Sequence, residues 1–192
     1  MLRFSLLARG IRPHFVDQPF NYCDLGFGQG LTLNLLAAAN AGSEFWGTDF
    51  NPAHATEAIR LSEQASIENV HLFDHDFSEL SDVDWPQFDF ISLHGIWSWV
   101  SAEIRKSIVS FIRARLRPGG VVYISYNTLP GWAPVMPLRE LLFQHGANSS
   151  EPTAVRIEKA LEFVEKLKEE NAGYFRANPV SGARLEQIRK MS

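Results

Sequence analysis

The sequence predicts an α/β fold, an open parallel sheet with helices on both faces, followed by a helical C-terminal segment. Short apolar runs alternate with segments of 3.6-residue periodicity from residue 20 to about residue 126. Such alternation is typical of βαβ units, whose parallel strands are joined by right-handed crossovers. The continuous apolar runs FISL and VVYIS indicate strands that are buried on both faces.

Length and composition fit one folded domain with an added helical segment. The chain has 192 residues, of which 45% are hydrophobic and 12% aromatic, enough for a packed core. The net charge is -4 and no run of Lys or Arg occurs, which argues against general nucleic-acid binding. No stretch approaches the roughly 20 apolar residues of a membrane span. Cys23 is the only cysteine, which excludes a disulfide framework and indicates a reducing compartment. We therefore expect a cytoplasmic protein.

The expected elements follow from these patterns in chain order. An amphipathic helix is expected within residues 1–12. The expected strands are residues 21–25, 43–49, 69–76, 88–94 and 119–127. Helices are expected to begin at Leu31, Pro52 and Ser101, and Asn51 provides an N-cap before the proline.

After residue 130 the helical pattern replaces the alternation. The expected helices there are residues 135–146, 154–171 and 183–192, with a loop over residues 175–182. We therefore expect a sheet-containing domain over residues 1–146 and a separate helical segment over residues 147–192.

The segment DLGFGQG joins the first strand to a helix and carries Gly26, Gly28 and Gly30. Glycines let a backbone approach a ligand closely, and a helix N-terminus presents free N–H groups. The dinucleotide pattern G-x-G-x-x-G requires glycine where Leu31 stands, and the P-loop pattern requires a lysine that is absent. The turn alone leaves the ligand open, and a purely structural turn remains an alternative.

Polar residues follow the first three strands at the edge where ligands bind in such sheets. Asp24 can support the turn or an ammonium group. Asp49, followed by Phe50, can accept the hydroxyls of a ribose, or it can cap the next helix. Asp76 and Phe77 lie where an adenine could stack and be bound at its edge, although a solvated strand end is the alternative.

The segment HLFDHDF also raises the question of a metal site. Strand alternation places its histidines on one face and Asp74 and Asp76 on the other. We therefore expect no metal centre here.

The series DLGFGQG, WGTDFNP, DHDFSEL and LRPGGVVYISY resembles the motif series of class I S-adenosylmethionine-dependent methyltransferases. The runs LHGIWSWVS and SYNTLPGW resemble the bacterial group that carries a methyltransferase regulatory domain and includes rickettsial protein-lysine methyltransferases. The resemblance spans residues 13 to 180 approximately. It implies a Rossmann-like methyltransferase domain over residues 1–146 and the start of a regulatory domain over residues 147–192. Such enzymes normally add two further strands, whereas helices are expected here after residue 127.

The resemblance also assigns roles at the site. It implies S-adenosylmethionine as the cofactor, with the glycine turn beside its methionine part and Asp24 near the ammonium group. Asp49 and Phe50 are then expected at the ribose, and Asp76 and Phe77 at the adenine. A protein, with lysine as one candidate group, is the implied methyl acceptor, and a small molecule or a sugar is the alternative.

Acceptor chemistry is expected beyond the fourth and fifth strands. His94 can act as a base or orient the acceptor, or it can be a structural histidine. Trp97 offers a ring face for a cationic acceptor, or it can be a core residue. Tyr126 and Asn127 are further candidates for acceptor contacts.

Three functions therefore remain open. The first is an S-adenosylmethionine-dependent methyltransferase acting on a protein or another acceptor. The second is a non-catalytic S-adenosylmethionine-binding or regulatory module. The third is an NAD(P)-dependent oxidoreductase or epimerase, which Leu31 at the third glycine position disfavours.

Overall fold

The structure, a computed structural model, describes residues 2–12, 18–147 and 150–191. The chain divides into two compact units, Met1–Tyr126 and Asn127–Ser192. The sheet lies in the first unit, and the elements described in the second unit are all helices.

The first unit is built on a five-stranded parallel sheet. Its strands are β1 (Asn21–Leu25), β2 (Glu44–Thr48), β3 (Val70–Phe73), β4 (Phe88–Leu93) and β5 (Leu116–Ile124). The order across the sheet is β3-β2-β1-β4-β5, with every neighbouring pair parallel. The strand order reverses between β1 and β4, which is the position where open α/β sheets bind ligands. The predicted α/β fold is therefore confirmed.

Helices cover both faces of this sheet. The helices of the first unit are α1 (Leu2–Leu7), α2 (Leu31–Ala38), α3 (Pro52–Gln64), a 3-10 helix (Glu79–Ser81) and α4 (Ala102–Arg115), of which α2, α3 and α4 pack on the sheet. The predicted cap at Asn51 is present, because its Oδ1 accepts from the Ala53 N–H at 3.0 Å. Ser101, expected as the first helical residue, instead caps α4 by accepting from the Ile104 N–H at 3.3 Å.

Two hydrophobic clusters fix the layers. On one face, α2 and α3 pack on the sheet through a cluster made of Phe20, Phe27, Leu33, Ala37, Phe45, Ala55, Ala58 and Phe90. On the other face, Ile108 and Phe111 of α4 pack with Leu80, Cys23 and Ile91. Successive residues of β1 point to opposite faces, so Cys23 enters one layer and Asp24 faces the other.

The N-terminal helix is shorter than the predicted one. It ends at Leu7 within residues 2–12, and the Ile11 N–H bonds back to the Leu6 carbonyl at 3.0 Å. Gly10 has a φ of 73°, a left-handed conformation that ends helices. Ile11 therefore lies outside the helix.

The fifth strand is displaced from its predicted position. It was expected over residues 119–127 and instead runs over Leu116–Ile124. Its pairing with β4 is irregular between Phe88 and Phe90, which accommodates the proline and glycines of RPGG on this edge strand. Tyr126 and Asn127 therefore follow the strand and do not end it.

The second unit contains α5 (Met136–Ala147), α6 (Thr153–Glu169), α7 (Gly173–Ala177) and α8 (Pro179–Met191). Its core is formed by Leu138, Leu161, Val164 and Leu185. The unit begins before α5 and not after residue 146 as expected, because Leu138 of α5 is buried in this core.

The prediction of a loop over residues 175–182 is wrong, because most of these residues are helical. Only Asn178 separates α7 from α8. Pro179 begins α8, and its fixed φ suits the first turn of a helix, where no N–H partner is needed.

Within the described ranges, no helix is long and apolar enough to cross a membrane.

Gly30→Ala should destabilise the first unit more than a matched glycine substitution. Gly30 has a φ of 73°, and a Cβ placed on it would lie 2.3 Å from the Cβ of Ala58 in α3. Positive φ and overpacking together should lower the free energy of unfolding by about 3 kcal/mol. Gly95 has the same φ of 73° and nothing within 4 Å, so Gly95→Ala should cost only about 1 kcal/mol. Urea unfolding measures the free energy of unfolding of both variants. Equal decreases in the two variants would contradict the role of the Ala58 contact.

Candidate functional site

The residues that the sequence selects gather at one edge of the first unit. The glycine turn follows β1, Asp49 follows β2, Asp76 lies beyond β3, and His94 follows β4 directly. Because these strands are parallel, their carboxyl ends meet at the same edge of the sheet. The candidate site is therefore at the switch point of the strand order.

The three glycines of the turn have three different environments. Gly26, Gly28 and Gly30 all have positive φ, at 86°, 61° and 73°. A Cβ on Gly26 would lie 2.4 Å from Cδ1 of Ile96, and one on Gly30 would meet Ala58. A Cβ on Gly28 would meet nothing within 4 Å. Open space for a ligand is therefore found over Gly28, whereas the other two glycines permit packing inside the protein.

Asp49 joins three elements through one buried carboxylate. Its Oδ2 accepts from the Gly28 N–H at 2.9 Å, and its Oδ1 accepts from the Asn51 N–H at 3.0 Å. The Nδ1 of His54 lies 3.1 Å from the same Oδ1. The side chain is 4% exposed. A carboxylate has about four acceptor positions, so one remains for a ligand hydroxyl.

Asp24 is held by a chain of hydroxyl groups. The Ser92 hydroxyl donates to Asp24 Oδ1 at 2.5 Å, and the Tyr22 hydroxyl donates to Ser92 Oγ at 2.8 Å. Within the part of the chain that the structure describes, Asp24 Oδ2 has no hydrogen-bond partner and is not fully enclosed. One carboxylate oxygen is therefore held by the protein, and the other receives no hydrogen bond from the described residues.

Burial shifts the acidity of this group. Burial raises the pKa of Asp24 from 3.8 to about 6, and the charge of Asp49 adds to the rise. The Ser92 hydrogen bond and the proximity of His94 act in the opposite direction. Burial also raises the pKa of Tyr22, so this phenol remains a hydrogen-bond donor at neutral pH.

Phe77, which was expected beside an adenine, is a buried residue. Its ring is 4% exposed and packs in the core, with Cζ 3.7 Å from the Cβ position of Gly26. The ring is packed in the hydrophobic cluster with Leu80 and Trp85, so its faces are covered by the protein. Phe50 is 64% exposed and presents the free aromatic surface instead.

Asp76 is an exposed carboxylate that also stabilises its own turn. Its Oδ1 accepts from the Ser78 N–H at 2.8 Å and from the Ser78 hydroxyl at 2.6 Å. These bonds lower the pKa of Asp76. Because one oxygen serves the turn, the second is the one that a ligand would contact.

His94 lies next to an aromatic partner that sequence reasoning missed. Its ring stacks almost parallel to that of Tyr123, at 10° and a centroid distance of 6.2 Å. The Tyr123 hydroxyl lies 3.5 Å from His94 Nδ1. Both side chains are exposed, so the pair presents polar atoms at the carboxyl edge of β4 and β5.

The remaining acceptor candidates are Trp97, Tyr126 and Asn127. The guanidinium of Arg105 lies 5.8 Å from the ring centroid of Trp97, so this ring already faces a cation. Tyr126 is 61% exposed and ends the first unit. Asn127 is the first residue of the second unit.

No group of three or more His, Cys, Asp or Glu side chains within the described ranges is arranged to hold a metal ion. The Nε2 of His71 lies 2.9 Å from a Glu44 carboxylate oxygen.

Three residues of the site could not be selected by motif. Ser92 lies within the apolar run FISL, Tyr22 precedes the motif, and His54 occupies the first turn of α3. Only Ser92 gives a signal in the sequence, as a polar residue within a buried strand. Such a residue requires a hydrogen-bond partner, which indicates a polar neighbour on an adjacent strand.

Asp24→Asn should stabilise the ligand-free protein at neutral pH. The folded-state pKa of about 6 lies above 3.8, so the stability contributed by Asp24 is present below pH 4 and is lost as the pH rises through 6. The amide keeps an acceptor for Ser92 and removes the buried charge. We expect a gain of about 3 kcal/mol in the free energy of unfolding at pH 7.5, shrinking towards pH 4. Urea denaturation at both pH values measures this, and a less stable variant at pH 7.5 would contradict it.

Comparison with known proteins gives a consistent family. The methyltransferase domain family matches residues 23–122, more than half of the chain. A protein of Synechocystis sp. is 49% identical over 191 residues, which is 100% of this chain and 38% of that protein. A Rickettsia prowazekii protein is 34% identical over 122 residues, 64% of this chain and 48% of its own length. The chain therefore spans less than half the length of these relatives.

Solved structures agree with this family. PKMT2 from Rickettsia typhi in complex with AdoHcy has a TM-score of 0.68 and 28% identity, covering 98% of this chain and 36% of that one. An O-methyltransferase of Brevibacillus brevis in complex with S-adenosyl-L-homocysteine has a TM-score of 0.50 at 18% identity and shows the fold alone, over 54% of this chain and 34% of that one. The cofactor that the family implies is S-adenosylmethionine. The chain thus belongs to the methyltransferase domain family, among the class I S-adenosylmethionine-dependent methyltransferases.

Proposed function

We propose that this chain binds S-adenosylmethionine at the switch point and transfers its methyl group to a protein acceptor, with a lysine amine as the leading candidate group. The observation that carries the proposal is the hydrogen bond from the Gly28 N–H to Asp49 Oδ2, together with the open space next to the Gly28 Cα. It combines a buried acceptor for ribose hydroxyls with a backbone that a ligand can approach.

The chemistry of the donor set fits the proposed cofactor. Asp24 offers Oδ2 to an ammonium group, and Asp49 offers its remaining acceptor position to a ribose. Phe50 offers an exposed ring to an adenine, and Asp76 offers an acceptor for the adenine amine. No cluster of cationic side chains is needed, because this cofactor carries no phosphate. The open turn at Gly28 would lie beside the methionine part.

When bound, S-adenosylmethionine supplies a methyl group that its sulfonium already activates for displacement by a nucleophile. The residues of the chain then orient the acceptor and exclude water, which can supply a large share of the barrier reduction. His94 is the group proposed to accept a proton from an amine or to orient it. Its neighbour Tyr123 holds the imidazole plane.

The protein acceptor is proposed from the relation to PKMT2 of Rickettsia typhi, which covers 98% of this chain. Residues 147–192 are proposed to belong to a regulatory domain, and the cytoplasm is proposed as the location. Incubation with labelled S-adenosylmethionine and cell lysate, followed by mass spectrometry, would identify the modified residues. Methylated sugars or small molecules alone would contradict the protein acceptor. Cofactor binding without any transfer would favour the non-catalytic module.

Asp49→Asn should abolish most cofactor affinity, because an amide offers one acceptor oxygen and loses the charge. We expect S-adenosylhomocysteine to bind about 10- to 100-fold more weakly, as when a hydrogen bond to a charged group is lost. Isothermal titration calorimetry measures this. Undiminished affinity in the folded variant would contradict the ribose assignment.

Asp89→Asn is the matched control for this experiment. Asp89 is equally buried, at 1% exposed, and accepts from the Asn21 N–H at 2.8 Å at the amino end of the strands. We expect this control to lose stability and keep cofactor affinity. If both variants lose affinity alike, the effect is one of folding and not of the site.

Phe50→Ala and Phe77→Ala should separate stacking from core packing. Phe50→Ala should weaken S-adenosylhomocysteine binding about tenfold without loss of stability, because stacking on an aromatic ring contributes about 1–3 kcal/mol per base. Phe77→Ala should instead lower the free energy of unfolding by about 3–5 kcal/mol. Thermal unfolding and calorimetry measure the two effects. The opposite pattern would restore the expectation that Phe77 stacks on the adenine.

A further inference from the structure

The hydroxyl chain at Asp24 has a fixed direction. An ionised carboxylate can only accept, so Ser92 must donate its single hydroxyl proton to Asp24 Oδ1. Ser92 Oγ can then only accept from Tyr22, and Tyr22 is the donor at 2.8 Å. The order of donation is therefore Tyr22 to Ser92 to Asp24, without an alternative.

The sheet itself places these three groups. Asp24 of β1 is the register partner of Ser92 of β4. Tyr22 and Asp24 are two residues apart on the same strand, so their side chains share one face. Ser92 is 4% exposed and Asp24 is 8% exposed. Water has little access to replace either hydrogen bond.

We infer that Tyr22 and Ser92 are positioning residues that hold Asp24 Oδ1 and thereby direct Oδ2, as an ionised acceptor, at the ammonium group of the bound cofactor. The inference rests on the proposed function. It assigns a role to two side chains that otherwise place hydroxyl groups inside an apolar sheet. In their absence, Asp24 could rotate, which moves Oδ2 away from the ammonium group, or take up a proton, which removes the negative charge that pairs with it.

The other titratable groups around Asp24 are few. Cys23 neighbours it on β1, Asp49 faces it from the end of β2, and His94 follows β4. Tyr22 lies on its own strand, and Tyr123 of β5 acts on Tyr22. Asp49 disfavours the charge of Asp24, whereas His94 favours it. Ser92 is thus the group that holds the ionised form through direct contact.

The pH dependence of binding has a defined sign. The pKa of Asp24 in the free protein is about 6, and the ammonium partner requires the ionised form. Affinity for S-adenosylhomocysteine should be constant above pH 7 and fall about tenfold per pH unit below 6. Removing the Ser92 hydroxyl raises the pKa of Asp24, so the fall begins at a higher pH. Removing the Tyr22 hydroxyl acts through Ser92, in the same direction and more weakly.

The test is calorimetric titration with S-adenosylhomocysteine between pH 5 and 8.5. The wild-type midpoint should lie near pH 6, the Ser92→Ala midpoint about one pH unit higher, and the Tyr22→Phe midpoint between them. Ser92→Thr keeps the hydroxyl and should restore the wild-type midpoint. Ser62→Ala removes a hydroxyl of similar burial, 7% exposed, from α3 and should leave the midpoint unchanged.

Proton release provides a second measurement that a purely structural role would not change. In buffers of different ionisation enthalpy, wild-type binding at pH 6 should release about half a proton. Ser92→Ala should release more than wild type at pH 7. If Ser92→Ala proves unstable, Tyr22→Phe supplies the same comparison with a smaller shift.

The outcomes separate this inference from the proposed function. A uniform loss of affinity in Ser92→Ala with an unshifted midpoint overturns the positioning role alone. In His94→Gln the fall at low pH should persist, and its disappearance would assign the pH dependence to His94 and overturn the inference. Folded wild-type protein that binds no S-adenosylhomocysteine at pH 8 overturns the proposed function and this inference with it.

Discussion

The candidate site depends on one carboxylate that serves three segments. Asp49 stands at the end of β2, and it accepts from the Gly28 N–H in the turn after β1 and from the Asn51 N–H before α3. Burying a carboxylate without hydrogen-bond donors would cost free energy. The N–H groups of the glycine turn and of the α3 cap stabilise the charge of Asp49, and the charge in turn orders both segments. The shape of the turn and the position of Asp49 are therefore determined together.

The periodicity of the chain predicts most of the fold, because alternation and helical spacing are local properties. Asn51 caps its helix as the local pattern predicts. What local patterns miss is set by pairing between strands distant in sequence. Ser92 meets Asp24 only because β1 and β4 are neighbours in that register. Phe77 was placed at the cofactor because apolar alternation does not show where β3 ends.

The two sides of the site differ in physical character. The proposed cofactor side has buried carboxylates that accept hydrogen bonds from the protein itself, at Asp24 and Asp49. The proposed acceptor side has exposed rings, with His94 stacked on Tyr123. Buried groups held by hydrogen bonds are restrained in position, whereas exposed rings can adjust their rotamers. This contrast fits a constant cofactor beside an acceptor that must enter and leave.

Ile96 connects these two sides. Its side chain covers Gly26, where even one added carbon on the glycine would lie 2.4 Å away. The segment after β4 therefore carries His94, which is proposed to contact the acceptor, and its Ile96 also packs against the turn after β1. A substitution at Ile96 would change the packing against Gly26. Under the proposed function, such a substitution would therefore affect the proposed acceptor side and the glycine turn together.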